Sequence, residues 1–215
     1  RQKLVHYGVT KPSFSLHHGI DDKKISKTVK PKSFSGEETL KIIWHSRLSG
    51  EKRIMPFLTA LTKVSGKYHL SVYGDGPEAK KAKKYTKKHH LNVTFYGAAN
   101  FDTIWQTLEK AHLDVLVSYN YDTFGMTLLE ATAAGVPVLI ADPDMKEILP
   151  PDSYILTQKE TSTEIAKSIN YIFAHPEVIK KMSAAQIVAR DQIQVSIKIR
   201  KLEKIFKMLL QNQKL

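Results

Sequence analysis

The sequence contains no cysteine, which excludes disulfides, thiolate nucleophiles and zinc sites built on thiolates. It also lacks an apolar run of the roughly 18 residues that a membrane-spanning helix needs, and it lacks a secretory leader pattern. The first residue is Arg1 rather than Met, so we expect the chain to be a piece of a longer protein. A reducing, cytoplasmic setting is compatible with these features.

Acidic residues are fewer than basic residues. The sequence has 21 Asp and Glu and 33 Lys and Arg, which gives a net charge of +12. This balance favours an anionic partner, namely a nucleotide diphosphate, an anionic membrane surface or a nucleic acid, and charge alone does not choose among them. Much of the excess lies in one stretch, which we interpret as a solvated helix face, with a membrane-surface patch and a nucleic-acid patch as alternatives. The lysines of that stretch are Lys80, Lys81, Lys83, Lys84, Lys87 and Lys88.

Three regions follow one another along the chain. Residues 1–36 are polar and show no clear period, so we interpret them as a lead-in or interdomain segment. Residues 37–190 alternate short apolar runs with amphipathic segments, and residues 191–215 are predicted to form a C-terminal helix. Buried strands are predicted at 40–45, 69–73, 92–96, 114–118 and 137–141, with an edge strand at 153–157.

Helical patterns separate these strands, at 53–64, 77–90, 101–111 and 124–134, and more helices follow at 161–174 and 176–190. Short apolar strands between helices predict an α/β fold, a Rossmann-like doubly wound parallel sheet with helices on both faces. The final helix carries an apolar stripe, which we expect to pack on this same domain; otherwise it would dock on a missing partner domain. The stripe consists of Val195, Ile199, Leu202, Phe206 and Leu209.

Candidate site residues follow the predicted strands, where ligands bind in open α/β sheets. Arg47 and Lys52 come just after the first strand, and two cations there suit a diphosphate. Gly74 and Gly76 follow the second strand, where a backbone without side chains can approach a ligand or form a plain turn. Gly97 and Ala98 follow the third strand, and small residues there leave room for a flat base.

The segment after the fourth strand is the most informative. Glu130 lies in an otherwise small and apolar helical stretch, where a carboxylate needs partners, and two neighbouring sugar hydroxyls would suit it. Asp122 lies in the preceding loop, as a ligand or a helix cap. The amides at the helix start are unpaired donors that can meet sugar hydroxyls and phosphate oxygens; they belong to Phe124, Gly125, Met126 and Thr127.

Taken together, these segments resemble the C-terminal, donor-binding domain of retaining glycosyltransferases of family 4, which have the GT-B fold. The family shows G-R-L-x-x-x-K-G, G-x-G-P, V-x-F-x-G, E-x-F-G-x-x-x-x-E-A and A-x-G-x-P-V in that order. Similar segments stand here, in the same order, at 46–53, 74–77, 93–97, 122–131 and 133–138. Residues 16–21 are similar to the family's hinge, and the resemblance covers residues 14–190.

The resemblance implies a role for each matching residue. Arg47 and Lys52 would grip the donor diphosphate and stabilise its developing charge, and Glu130 would bind the ribose. Asp122 stands where the family has a glutamate that contacts the donor sugar. The amides of Phe124, Gly125 and Met126 would touch sugar and phosphate, and Gly97 and Ala98 would line the base pocket.

The implied reaction is transfer of a hexose from a nucleotide diphosphate sugar, with uridine as the expected base, to a glycan or lipid acceptor with retention. No cofactor and no metal are expected, because basic side chains and helix dipoles replace the metal. The N-terminal acceptor-binding domain is missing, so we expect this chain alone to bind nucleotide weakly and to transfer no sugar. Peripheral contact with the inner face of the membrane is a further expectation.

The loop at 142–147 lacks the glycines that are common in the family, and three further positions depart from its pattern. Ser46 and Arg53 replace glycines, and Asp122 is one methylene shorter than the usual glutamate. Two other interpretations therefore stay open, a non-catalytic partner subunit of the same fold and a nucleotide-sugar epimerase of the same architecture. No nucleic-acid partner is expected, because the sequence has no recognition helix and no aromatic-rich basic strand.

Overall fold

A computed structural model describes residues 6–8, 13–25, 28–119 and 125–212. Six parallel strands form one sheet in the order β3-β2-β1-β4-β5-β6. The order reverses between β1 and β4, and sheets of this kind bind ligands in the crevice beyond the carboxyl ends of the strands at that point. The strands are β1 Leu40–His45, β2 Tyr68–Tyr73, β3 Val93–Gly97, β4 Leu113–Leu116, β5 Val138–Ile140 and β6 Tyr154–Leu156.

Helices connect successive strands and continue after the last one. The described α-helices are α1 Asp22–Ile25, α2 Ile54–Leu61, α3 Ala79–Lys88, α4 Phe101–Leu108, α5 Met126–Ala133, α6 Ser162–Ala174, α7 Glu177–Ala189 and α8 Val195–Asn212. Short 3₁₀ turns lie at Pro143–Glu147 and Arg190–Ile193.

Successive residues of β1 supply two separate cores, because side chains of a strand alternate between the faces of the sheet. Ile42 and Trp44 pack with residues of α2 and α6 on one face. Ile43 packs with residues of α4 and α5 on the other face. Helices therefore cover both faces, and the predicted Rossmann-like doubly wound fold is confirmed.

Part of the predicted lead-in packs against this domain. The amide of Lys32 donates to Ser183 of α7, and its ammonium group donates to the carbonyl of Glu109. Ile20 exchanges backbone hydrogen bonds with Ile193 and Val195, at 2.8 and 3.0 Å, and so ties the hinge-like segment to the start of α8.

The expectation that α8 packs its apolar stripe on this domain is wrong. Ile199, Leu202, Phe206 and Leu209 are exposed, with Phe206 at 56%. The reason is geometric: the first turn of α8 is held by the backbone of the hinge-like segment and by Asp22, whose carboxylate accepts the amide of Ser196. The apolar side chains of the later turns stay exposed, although Lys201 still donates to the carbonyl of Ser15. Within the described residues, no helix is both long and apolar enough to span a bilayer.

Candidate functional site

The loop that follows β1 is fixed against the loop that follows β2. The amide of Leu48 donates to the carbonyl of Asp75 at 3.0 Å, and the carbonyl of Leu48 accepts the amide of Glu78 at 2.9 Å. Leu48 is itself buried in the core. The predicted cation loop therefore starts from a fixed anchor rather than from a free turn.

The glycines after β2 have a clear structural reason. A β-carbon at Gly74 would collide with the carbonyl oxygen of Ser46, and one at Gly76 would collide with that of Leu48. Gly74 also has φ of +132°, a region that side chains rarely adopt. Close approach of two loops accounts for both glycines, and their contact with a donor stays a prediction.

Gly97 and Ala98 lie at the end of β3, the edge strand. Gly97 has φ of +78°, and no atom of the described residues lies near the position where its β-carbon would be. Its carbonyl accepts the amide of Gly74 at 2.7 Å, which brings the ends of β2 and β3 together. Ala98 is exposed. The space beside this turn is open, as the predicted base pocket requires.

Arg47 and Lys52 share an electrostatic environment. The carboxylate of Glu51 accepts the Ser49 hydroxyl at 2.5 Å. That hydrogen bond, with the Glu51 backbone amide and then the charges of Arg47 and Lys52, lowers the pKa of the Glu51 carboxyl. Arg47 is exposed and Lys52 is half-buried, so both cations border the same short loop.

Arg53, which stands where the resemblance expects glycine, adopts a conformation that favours glycine. Its φ is +65° and its ψ is +36°, in the left-handed region. Its guanidinium donates to the carbonyl of Glu160 at 2.6 Å. That anchor on the segment before α6 offsets part of the backbone strain and lets a charged side chain stand in for glycine.

The last residue of β1 bridges two acids. His45 Nε2 lies 3.2 Å from Asp114 Oδ2, and His45 Nδ1 lies 3.1 Å from Glu130 Oε2. The side chains of His45 and Asp114 are 1% and 0% exposed, whereas that of Glu130 is 22% exposed. The predicted ribose-binding carboxylate thus has a protein partner that sequence reasoning missed.

The bridge determines the charge of the imidazole. Burial is the largest single influence and disfavours the charged form, but the carboxylates of Asp114 and Glu130 together outweigh it and raise the pKa of His45 to about 10. Both ring nitrogens lie within ion-pair distance of carboxylate oxygens, which favours the charged form of the imidazole. The two carboxylates therefore favour a charged imidazole at His45.

Two signals in the sequence could have revealed the cluster. Asp114 is an acid inside an otherwise apolar strand, and His45 ends another apolar strand. Buried ionisable residues need partners. Neither strand identifies the partner, because the three residues come from β1, β4 and α5.

The start of α5 carries the remaining predicted donor contacts. Gly125 is buried, and a β-carbon there would press on Leu116 and Leu128. Met126 is exposed, and the Thr127 hydroxyl oxygen is buried without a hydrogen-bond partner among the described residues. Asp122 and Phe124 lie outside the described residues, so their predicted roles stay predictions.

A cavity of about 410 Å³ lies elsewhere, between α4 and the face of β1 to β3. Tyr73, Tyr96 and Lys110 help to line it. It contains none of the predicted site residues, so its size is a weaker guide to the donor site than the reversal of strand order. Over the described residues, no group of three His, Asp or Glu side chains is arranged to hold a metal ion.

The family described as glycosyl transferases group 1 matches residues 26–187. The lipopolysaccharide 1,6-galactosyltransferase of Escherichia coli strain K12 is 28% identical over 148 residues, which cover 66% of this chain and 40% of that protein. The N-acetyl-alpha-D-glucosaminyl L-malate synthase of Bacillus anthracis is 28% identical over 131 residues, which cover 58% of this chain and 34% of that protein. The chain thus spans 40% or less of these relatives' lengths.

Solved structures share the fold at lower identity. A mutant of S. aureus TarM, in complex with fondaparinux, alpha-GlcNAc-glycerol and UDP, has a TM-score of 0.78 at 19% identity, covering 96% of this chain and 42% of that one. Anabaena HepE in complex with UDP and glucose has a TM-score of 0.75 at 20% identity, covering 90% of this chain and 56% of that one.

Proposed function

The chain belongs to the group 1 glycosyl transferases of the GT-B type, and on this premise we propose that it is the nucleotide-sugar-binding half of a retaining hexosyltransferase of family 4. The donor is a UDP-sugar, and the acceptor is a glycan or a lipid. The acceptor-binding half and part of the catalytic cleft belong to a separate N-terminal domain. The chain alone therefore binds nucleotide weakly and transfers no sugar.

One observation carries this proposal: the contact of 3.1 Å between His45 and Glu130. It joins the last residue of β1 to the helix after β4, at the reversal of strand order. Arg47 follows His45 by two residues, so the cation loop starts beside the Glu130 carboxylate. This supports a site in which two cations and an acid distant in sequence bind one nucleotide diphosphate.

Each group has a role in donor binding. Arg47 and Lys52 bind the diphosphate and stabilise the charge that develops on the leaving group. The Glu130 carboxylate accepts ribose hydroxyls, and Asp122 contacts the donor sugar. The open turn at Gly97 and Ala98 takes the base, and the first amides of α5 donate to phosphate or sugar oxygens.

Two similarities to known proteins support the class of donor and acceptor. Solved structures of the same fold contain UDP, and one curated relative is a lipopolysaccharide galactosyltransferase. A lipid-linked acceptor is consistent with a protein on the cytoplasmic face of the membrane, held there by exposed lysines. No metal or cofactor takes part in this scheme, because Arg47 and Lys52 supply the positive charge.

Calorimetric titration of the chain with UDP, GDP and ADP tests the proposal. We expect UDP to bind most tightly of the three. Glu130→Ala should cost about 1–3 kcal/mol of UDP binding, because hydrogen bonds to a charged acceptor are lost.

Glu177→Ala is the matched control, since Glu177 is an exposed acid at the start of α7, and it should leave UDP affinity unchanged. Failure of all three nucleotides to bind would contradict the proposal. Full UDP affinity in Glu130→Ala would remove Glu130 from the site.

A further inference from the structure

The role of His45 goes beyond the donor contacts proposed above. Glu130 keeps 22% of its side chain exposed, whereas its partner His45 is 1% exposed and lies behind it. Asp114 is fully buried on the far side of the imidazole. The three groups therefore form a row that runs from the core of the sheet to the surface.

Asp114 is held firmly at the inner end of the row. Its Oδ1 accepts the amide of Val115 at 2.8 Å, while its Oδ2 faces His45 Nε2 at 3.2 Å. The strands that carry these residues, β1 and β4, are paired through Ile42 and Ile43. The imidazole is thus oriented by a carboxylate on a neighbouring strand.

The position of the imidazole between Asp114 and Glu130 has an electrostatic consequence. A cation between two acids leaves one carboxylate charge in excess in the row, and the exposed member of the row is Glu130. Without the imidazolium, two carboxylates would face the same buried space, which is costly in a medium that solvates charge poorly. A metal-binding role is not consistent with the geometry, because both ring nitrogens face acid oxygens.

Resting on the proposed function, we propose that His45 is a positioning residue for ribose recognition: Asp114 orients its imidazole, and its Nδ1 fixes the Glu130 carboxylate so that the free lone pairs meet the two ribose hydroxyls. A carboxylate fixed in advance loses less conformational freedom when the nucleotide binds. His45 touches no substrate and acts only through Glu130.

Comparison of UDP with 2′,3′-dideoxy-UDP isolates this role, because the two probes differ only in the hydroxyls that Glu130 accepts. Calorimetry on the chain gives the ratio of their dissociation constants. We expect the wild-type chain to prefer UDP by about tenfold or more, from hydrogen bonds to a charged acceptor. In His45→Gln the preference should fall towards one, mainly because UDP affinity is lost.

His112→Gln is the matched control. His112 is also a buried histidine, and its Nδ1 accepts the amide of Lys41 near the opposite end of β1. Its loss should lower stability without changing the preference for UDP. A purely structural role of His45 predicts the same behaviour for both histidine variants.

Asp114→Asn is a second variant that keeps the shape of the buried row. It removes the charge that orients the imidazole of His45 and leaves Glu130 in place, so it should lower the preference for UDP while the chain stays folded by circular dichroism. This variant keeps the test valid if His45→Gln does not fold.

The outcomes separate the two proposals. A chain that binds neither probe overturns the proposed function and this inference together. A chain that prefers UDP, and keeps that preference in His45→Gln or in Asp114→Asn, overturns the role of His45 alone. Loss of preference in both variants and its retention in His112→Gln supports the role.

Discussion

The carboxyl end of β1 and the helix α3 both concentrate charge, but they do so in opposite ways. At β1, one histidine and two acids are close together, and His45 and Asp114 are almost wholly buried. On α3 every lysine of the cluster identified in the sequence is exposed. The net charge of +12 owes much to the helix, whereas the buried cluster contributes little to it.

This difference shows where function can be inferred from charge. Solvated lysines cost little and can be explained by solubility alone. Buried ionised groups cost several kcal/mol each unless they find partners, so their persistence at the edge of a crevice requires an explanation. The few buried, paired charges near the end of β1 therefore indicate a function more strongly than the larger number of exposed lysines on α3.

Removal of the buried imidazole should have the largest effect on stability, because it abolishes the paired charges that distinguish the end of β1 from α3. His45→Leu leaves Asp114 and Glu130 without their partner, and we expect a loss of about 3–5 kcal/mol in the free energy of unfolding. Urea denaturation followed by circular dichroism measures it.

His89→Leu is the control for this variant, because His89 is exposed at the end of α3, and it should change stability by less than about 0.5 kcal/mol. If His45→Leu and His89→Leu lower the free energy of unfolding by the same small amount, the charges around His45 do not stabilise the fold more than the exposed charges of α3 do.

Alkaline pH should lower the stability that the His45 cluster contributes to the wild-type chain. Asp114 from β4 and Glu130 from α5 face His45 and raise its folded pKa to about 10, above the ordinary 6.5. A raised pKa stabilises the fold fully below pH 6.5, and this contribution is lost as pH rises towards 10. The slope is about 1.4 kcal/mol per pH unit at most, so about 2–3 kcal/mol should disappear between pH 7 and 9.

The measurement is urea denaturation of wild type and His45→Gln over that range of pH. Lysines and tyrosines titrate in both proteins near the alkaline end, so the difference between the two curves isolates His45. Parallel curves would show that His45 is not charged in the folded chain.

The fold was largely predictable, because each buried strand is a short apolar run with a turn at its end. β1 matches its predicted range of 40–45, and the other strands differ from prediction by one or two residues. Local patterns suffice for the central strands β1, β4 and β5 because they are buried on both faces. The prediction that β3 is buried is wrong, because β3 lies at the edge of the sheet and its residues alternate between half-buried and exposed.

The site was predictable only in part. Motif spacing predicted Glu130 and Arg47 as site residues, but it could not predict the bridge through His45, because pairing between β1, β4 and α5 depends on the tertiary fold. The course of α8 was missed for the same reason. The apolar stripe of α8 predicts that one face of the helix is buried, but the stripe does not identify the surface that would cover it.

Neutralisation of one exposed lysine should have the smallest effect and the opposite sign. Lys84 lies one helical turn from both Lys80 and Lys88, so it has a like charge at i−4 and at i+4. Lys84→Gln should raise the free energy of unfolding by about 0.2–0.5 kcal/mol for each pair that it relieves. The gain should shrink from 10 mM to 1 M salt, because exposed charges are screened. Thermal denaturation at both salt concentrations measures the effect. A loss of more than about 1 kcal/mol in Lys84→Gln would mean that Lys84 makes a specific stabilising contact, since surface substitutions away from specific contacts stay within about 0.5 kcal/mol.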